Sequence, residues 1–213
     1  MRAMDSSHVA LASLTLTPAA FSLFRCSEQA TLGVQFDALS TVLKSCAVDD
    51  EIKLEYDVDS DHLTITRGED RQWELKLLDI EADETTIPDQ SYDVSAIITS
   101  SEFLKVCRDL KEIGGETIAI RVTDGSTISC SVEGHHGRAT AVLKDGISIE
   151  CACEMEDKMS YALRYLASFA KGSPLCSTVR IQMGKGTPLC MTYDFTEGHG
   201  CLQFFLAPRI DDD

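Results

Sequence analysis

The strongest constraint on this chain's fold is an internal repeat. Phe36, Leu39, Val42, Leu43 and Cys46 fall at helical spacing, with Asp37 near the start and Lys44 on the polar side. Three alternating stretches follow, with Ile52, Leu54 and Tyr56 inward on the first, Leu63 and Ile65 on the second, and Trp73, Leu75 and Leu77 on the third. The second half repeats the order. Met159, Ala162, Leu163, Leu166 and Phe169 share one side of a predicted helix. Strands carrying Val179, Ile181 and Met183, then Leu189, Met191 and Tyr193, then Leu202, Phe204 and Leu206 come next. Helix plus three strands, twice, predicts an α+β chain of two similar domains with helices packed on antiparallel sheets.

Between the halves the chain turns acidic. Asp79, Glu81, Asp83, Glu84, Asp89 and Asp93 form a run without Lys or Arg, and Pro88 biases Ile87 toward extended backbone. The segment reads either as a solvated linker or as a docking strap with an apolar bead at Ile87-Pro88. The expected division is 1–80, a linker over 81–93, and 94–213. Earlier, His8 to Thr17 reads as a strand whose apolar phase slips between Leu11 and Leu14, as a bulge would produce. Leu32, Val34 and Phe36 read as another strand. The second half opens with a strand (Tyr92 to Ile98), a helix (Ser101 to Ile113) and a strand (Thr117 to Val122) that ends at a turn, Thr123-Asp124-Gly125. By the repeat these have no first-half counterpart. The expectation is an N-terminal truncation or a wrongly chosen start.

Composition excludes several classes. A net charge of -16 argues against a tight, whole-surface nucleic-acid binder. Nine cysteines without a paired Cys-x-x-Cys suggest buried thiols in a reducing compartment. Leu11 to Phe24 is interrupted by Thr15, Thr17 and Pro18, so it is not a signal-peptide core, and no stretch is apolar enough to span a membrane. Asp57, Asp59 and Asp61 lack the glycine and glutamate of a calcium loop and read as a hairpin turn. Asp5, Ser6, Ser7 and His8 read as a turn entering a strand rather than a triad. His135-His136 has no partner at ligand spacing. No catalytic, metal or cofactor site is expected.

Charge on the helices is more telling. Phe103, Val106, Cys107 and Leu110 form the predicted buried stripe of the Ser101 helix, and Lys105, Arg108 and Lys111 lie opposite, interleaved with Glu102, Asp109 and Glu112. Arg164 and Lys171 share a face of the later helix. Screening over roughly 8 Å at physiological salt lets a local basic face meet phosphates despite the acidic total.

Met4-Asp5-Ser6-Ser7-His8-Val9, Cys107-Arg108-Asp109-Leu110, Ala162-Leu163-Arg164-Tyr165-Leu166 and Leu206-Ala207-Pro208-Arg209-Ile210 closely resemble the proliferating cell nuclear antigen family, the eukaryotic DNA sliding clamps. The resemblance runs in order over essentially the whole chain. It implies the DNA clamp fold, a nuclear ring of three subunits, helices lining a central hole and sheets outside. The Trp73 strand would pair edge to edge with the strand near Arg138 to Leu143 of a neighbour. DNA-facing bases would be Lys44, Lys105, Arg108, Lys111, Arg164 and Lys171, meeting double-stranded DNA without regard to sequence. A pocket of Met4, His8, Val9, Leu11, Ile87, Pro88, Tyr92, Ala162, Pro188, Phe205, Ala207, Pro208 and Ile210 would take the short peptide motifs of DNA polymerases, ligase, nucleases and the clamp loader.

The chain departs from the family pattern at several positions. Thr85 stands where an apolar residue commonly lines the pocket, Phe205 replaces a commoner Tyr, and Thr41 replaces a DNA-facing lysine. Thr123 occupies the place of the lysine that receives ubiquitin or SUMO. The expected role is a processivity factor and docking platform without catalytic activity, the alternative an interaction module that binds peptides without closing a ring. With the opening strand, helix and strand of the first domain lacking, no durable ring is expected.

Overall fold

The computed structural model describes residues 1–80, 90–123, 127–143, 148–151 and 158–209. In chain order the strands and helices are β1 (Arg2–Met4), β2 (Ala10–Leu16), α1 (Phe36–Lys44), β3 (Ile52–Glu55), β4 (His62–Arg67) and β5 (Arg71–Lys76). They continue with β6 (Val94–Thr99), α2 (Ser100–Lys111), β7 (Thr117–Thr123), β8 (Thr127–Gly134), β9 (Gly137–Leu143) and β10 (Ser148–Cys151). The last are β11 (Met159–Ala162), α3 (Leu163–Phe169), β12 (Thr178–Met183), β13 (Leu189–Asp194) and β14 (Gly200–Leu206).

The chain forms two compact units, one of Met1–Phe24 with Asp89–Asp213 and one of Arg25–Pro88. This differs from the 1–80 and 94–213 expected from the repeat. The cause is strand pairing: β2 lies antiparallel to β14, from Ala10 opposite Leu206 to Leu16 opposite Gly200, and carries β1 on its other edge. Gly200 belongs at that crossing because a Cβ there would meet the Thr15 carbonyl.

The larger unit has two antiparallel sheets, one of seven strands in the order β1-β2-β14-β13-β12-β6-β10 and one of four in the order β11-β7-β8-β9. Helix α2 packs against strands of both sheets and against α3. Period-two alternation points Val94, Ala96 and Ile98 of β6, Val179, Ile181 and Met183 of β12, and Leu189, Met191 and Tyr193 of β13 into one core. Phe103, Val106, Cys107 and Leu110 of α2 and Leu163, Leu166 and Phe169 of α3 close it. The rings of Phe169 and Phe204 stack with centroids 4.4 Å apart. The smaller unit is a three-stranded sheet, β3-β4-β5, under α1, with Leu39, Val42, Leu63 and Ile65 buried.

Five expectations are corrected. The β2–β14 register is unbroken, so Leu11 and Leu14 reflect burial on both faces of one strand and no bulge is present. Leu32 to Phe36 is not a strand; one bridge joins Gly33 to Leu78, and Phe36 opens α1. Met159 to Ala162 pairs with β7, from Met159 opposite Ile120 to Ala162 opposite Thr117, and only Leu163 onward is helical. Tyr161, fully buried and off the expected helical stripe, is the residue that this strand places inward. In the smaller unit Phe36, Leu43 and Leu54 are substantially exposed rather than inward, because neither α1 nor β3 is covered on that side among the described residues. Of the cysteines, Cys107, Cys130 and Cys190 are buried as expected, but Cys26 is exposed.

Candidate functional site

Two surfaces of the larger unit gather the candidate residues. The first lies on the seven-stranded sheet's face away from the core. Ala10, Leu206 and Leu189 point inward, so their neighbours Leu11, Phe205 and Cys190 point to the other face, where the register sets Leu11 opposite Phe205 and Phe205 opposite Cys190. Tyr92 is half-buried beside Cys190; burial and that thiol push the Tyr92 phenol up to about 12. Pro188 and Ala207 extend the Leu189–Leu206 pair at the same end, and the Ala207 N–H donates to the Val9 carbonyl at 2.9 Å.

The turn before β2 borders this face and is held by one carboxylate. Asp5 Oδ1 accepts the Val9 and Ala10 N–H groups at 2.9 and 2.7 Å, and Oδ2 accepts the Ser7 N–H at 3.1 Å and the Tyr165 hydroxyl at 2.7 Å. These bonds, the Tyr165 one foremost, hold the Asp5 carboxyl well below the usual carboxylate range. Met4, His8 and Val9 are left exposed around it, with His8 Nδ1 3.2 Å from Met4 Sδ. Downstream, the Arg209 N–H donates to the Ser160 carbonyl at 2.7 Å and Arg209 Nη1 donates to Thr117 Oγ1 at 2.6 Å, tying the segment after β14 to the second sheet.

The second surface is the solvent side of α2 and α3. Lys105, Arg108 and Lys111 of α2 and Arg164 of α3 are all exposed, as is Lys171, which lies not on one helix face with Arg164 as expected but in the 3-10 turn Ala170–Gly172 that follows α3. Arg108 and Lys111 sit in the last turn of α2 and Glu102 in the first, the arrangement that the helix dipole favours. Among the described residues no ion pair engages Lys105, Arg108, Lys111 or Lys171. The Arg164 guanidinium lies over the Tyr165 ring, 4.8 Å from its centroid. Lys44 is exposed on α1 of the smaller unit. No group of three or more His, Cys, Asp or Glu side chains able to hold a metal occurs among the described residues.

The family model for the proliferating cell nuclear antigen N-terminal domain matches residues 1–86, and that for its C-terminal domain matches residues 86–209. The chain belongs to the proliferating cell nuclear antigen family. Its structure is similar to the crystal structure of proliferating cellular nuclear antigen from Entamoeba histolytica, with TM-score 0.88 and 30% identity over 98% of this chain and 84% of that one. The architecture is therefore the DNA clamp fold of a sliding-clamp family, and antiparallel sheets with few helices are what that fold requires.

Within the clamp fold, Met4, His8, Val9, Leu11, Phe205, Ala207, Pro188 and Tyr92 fall along or beside one sheet face. Pro208 follows Ala207 in the segment that Arg209 anchors, and Ala162 lies at the junction of β11 and α3. Ile87, Pro88 and Ile210 lie outside the described residues. The residues that fasten these surfaces, Asp5, Tyr165, Cys190 and Arg209, were not picked out as site residues. A polar turn at Asp5-Ser6-Ser7 was legible in the sequence; its partner Tyr165, 160 positions away, was not.

Proposed function

We propose that this clamp-family chain is a subunit of a nuclear, homotrimeric ring that encircles double-stranded DNA. The ring serves as a processivity factor and as a docking platform for polymerases, ligase, nucleases and the clamp loader. The observation that carries this reading is the separation of two chemistries in the larger unit. Exposed bases, interleaved on α2 with Glu102, Asp109 and Glu112, lie on the helix side, whereas half-buried Tyr92, Pro188 and Ala207 beside buried Leu11 and Phe205, with an anchored turn, occupy the far face of the sheet. A ring is held by topology, so weak phosphate contacts blind to sequence suffice, and partners need only a short apolar peptide. Strands β5 and β9 are each at the end of their sheets, which leaves an edge for pairing between subunits. The protein acts by binding and positioning, not by catalysis. The second reading, a peptide-binding module that closes no ring, draws on the small core of the unit that carries β5.

A double dissociation tests the assignment. Ala207→Asp puts a charge into the apolar contact and weakens a fluorescent partner peptide by at least about tenfold, with DNA loading unchanged. Replacing Lys105, Arg108, Arg164 and Lys171 by Ala weakens DNA association in a salt-dependent way and leaves the peptide bound. Equal behaviour of wild type and both variants refutes the surfaces. Light scattering at the mass of one chain, with peptide binding intact, favours the second reading.

A further inference from the structure

The two surfaces share one phenol. Tyr165 Oη donates to Asp5 Oδ2 at 2.7 Å, while Arg164 Nη2 donates to the same hydroxyl oxygen at 3.3 Å and its guanidinium covers the ring. Asp5 spends its remaining acceptor capacity on the backbone of the turn, at Ser7, Val9 and Ala10. Val9 in turn accepts from Ala207. The path from an exposed base on α3 to Ala207 at the rim of the apolar face thus runs through four hydrogen bonds. The turn also holds His8 at φ 56°, a backbone conformation that residues other than glycine rarely adopt and that persists only where the surroundings enforce it.

We propose that Tyr165 is a positioning residue that sets the shape of the peptide rim through Asp5 and makes that rim responsive to an anion engaged by Arg164. The inference rests on the assignment of the two surfaces under Proposed function. A cation donating to a phenol oxygen polarises the O–H and strengthens its donation to a carboxylate. When a phosphate takes the guanidinium, that support weakens and the Asp5 turn relaxes. By linkage the effect is reciprocal: a peptide that prefers the tight turn disfavours withdrawal of Arg164.

The test uses the full chain, a fluorescein-labelled peptide with one aliphatic and two aromatic anchors, and a short DNA duplex. Tyr165→Phe, which keeps the ring and loses the hydroxyl, is expected to weaken the peptide about three- to tenfold. In wild type the duplex shifts the amide resonances of Ser7, Val9 and Ala10; in Tyr165→Phe it does not, a difference that loss of packing alone does not produce. Arg164→Ala is exposed and does not threaten folding. It is expected to move the same amides without DNA, and to add nothing in the Tyr165→Phe background. A wild type that binds no peptide overturns the pocket and this inference with it. A wild type that binds, matched by Tyr165→Phe and with amides indifferent to Arg164→Ala, overturns this inference alone.

Discussion

Helix α1 with β3–β5 and helix α3 with β12–β14 follow one plan, yet their interiors differ sharply. In the second set Val179, Ile181, Met183, Leu189, Met191 and Tyr193 are all at most 2% exposed, because β6 flanks β12, β2 flanks β14 and α2 packs on α3. In the first set the same alternation leaves Leu54 at 53% exposure, and β3 and β5 are both sheet edges. A repeated pattern therefore fixes which side of a strand is apolar, and the neighbours decide whether that side is buried. At roughly 1.5 to 3 kcal/mol per fully buried large side chain, a core of Leu39, Val42, Leu63 and Ile65 supports far less stability than its counterpart.

The largest expected effect comes from deleting part of that small core. Ile65 is fully buried, and Ile65→Ala should cost about 2 to 5 kcal/mol. Hydrogen exchange should then show protection lost across β3, β4 and β5 while β12 to β14 stay protected. Equal loss in both units would break the comparison by showing that they unfold as one.

Thiol chemistry sharpens it next. Cys107 and Cys130 lie in the large core, where burial pushes both thiols up to about 12, whereas Cys46 is half-buried in the small unit. A raised folded pKa contributes stability that is complete below the unfolded thiol value of about 8.5 and is lost as pH rises toward 12. Pulse alkylation in rising urea should label Cys46 well before Cys107 and Cys130. Simultaneous labelling would contradict the ranking of the two cores.

The smallest effect concerns the edge of the larger unit. Asp5 has a depressed folded pKa, so its contribution is present above the ordinary carboxylate value of about 3.9 and disappears as pH falls below it. Between pH 6 and 2 the melting temperature of wild type should fall more steeply than that of Asp5→Asn. Parallel curves would mean that the turn is not held by the carboxylate charge.

These contrasts also mark what sequence patterning can reach. The alternating strands at Val94, Leu63 and Val179 and the stripe of Phe103, Val106, Cys107 and Leu110 were legible because period and burial agree there. Met159 to Ala162 was misread because Met159, Ala162 and Leu163 satisfy a helical period by coincidence, while pairing with β7 decided the matter. Burial in the small unit was overestimated for Phe36, Leu43 and Leu54, since periodicity is silent about covering partners. Exposed bases on α2 followed directly from helical spacing. The Asp5–Tyr165 bond did not, because nothing local joins a turn at the start of the chain to a helix near its end.

The pairing of β2 with β14 sets a schedule for synthesis. Strand β2 leaves the ribosome long before its partner and pairs only when residues 200–206 emerge, a wait of roughly 10 to 40 s at about 5 to 20 residues per second. The small unit, whose strands are consecutive, can close during that interval. The less stable part of the molecule is then the first to fold, and the larger sheet is sealed last, by the strand that also positions Phe205 and Ala207.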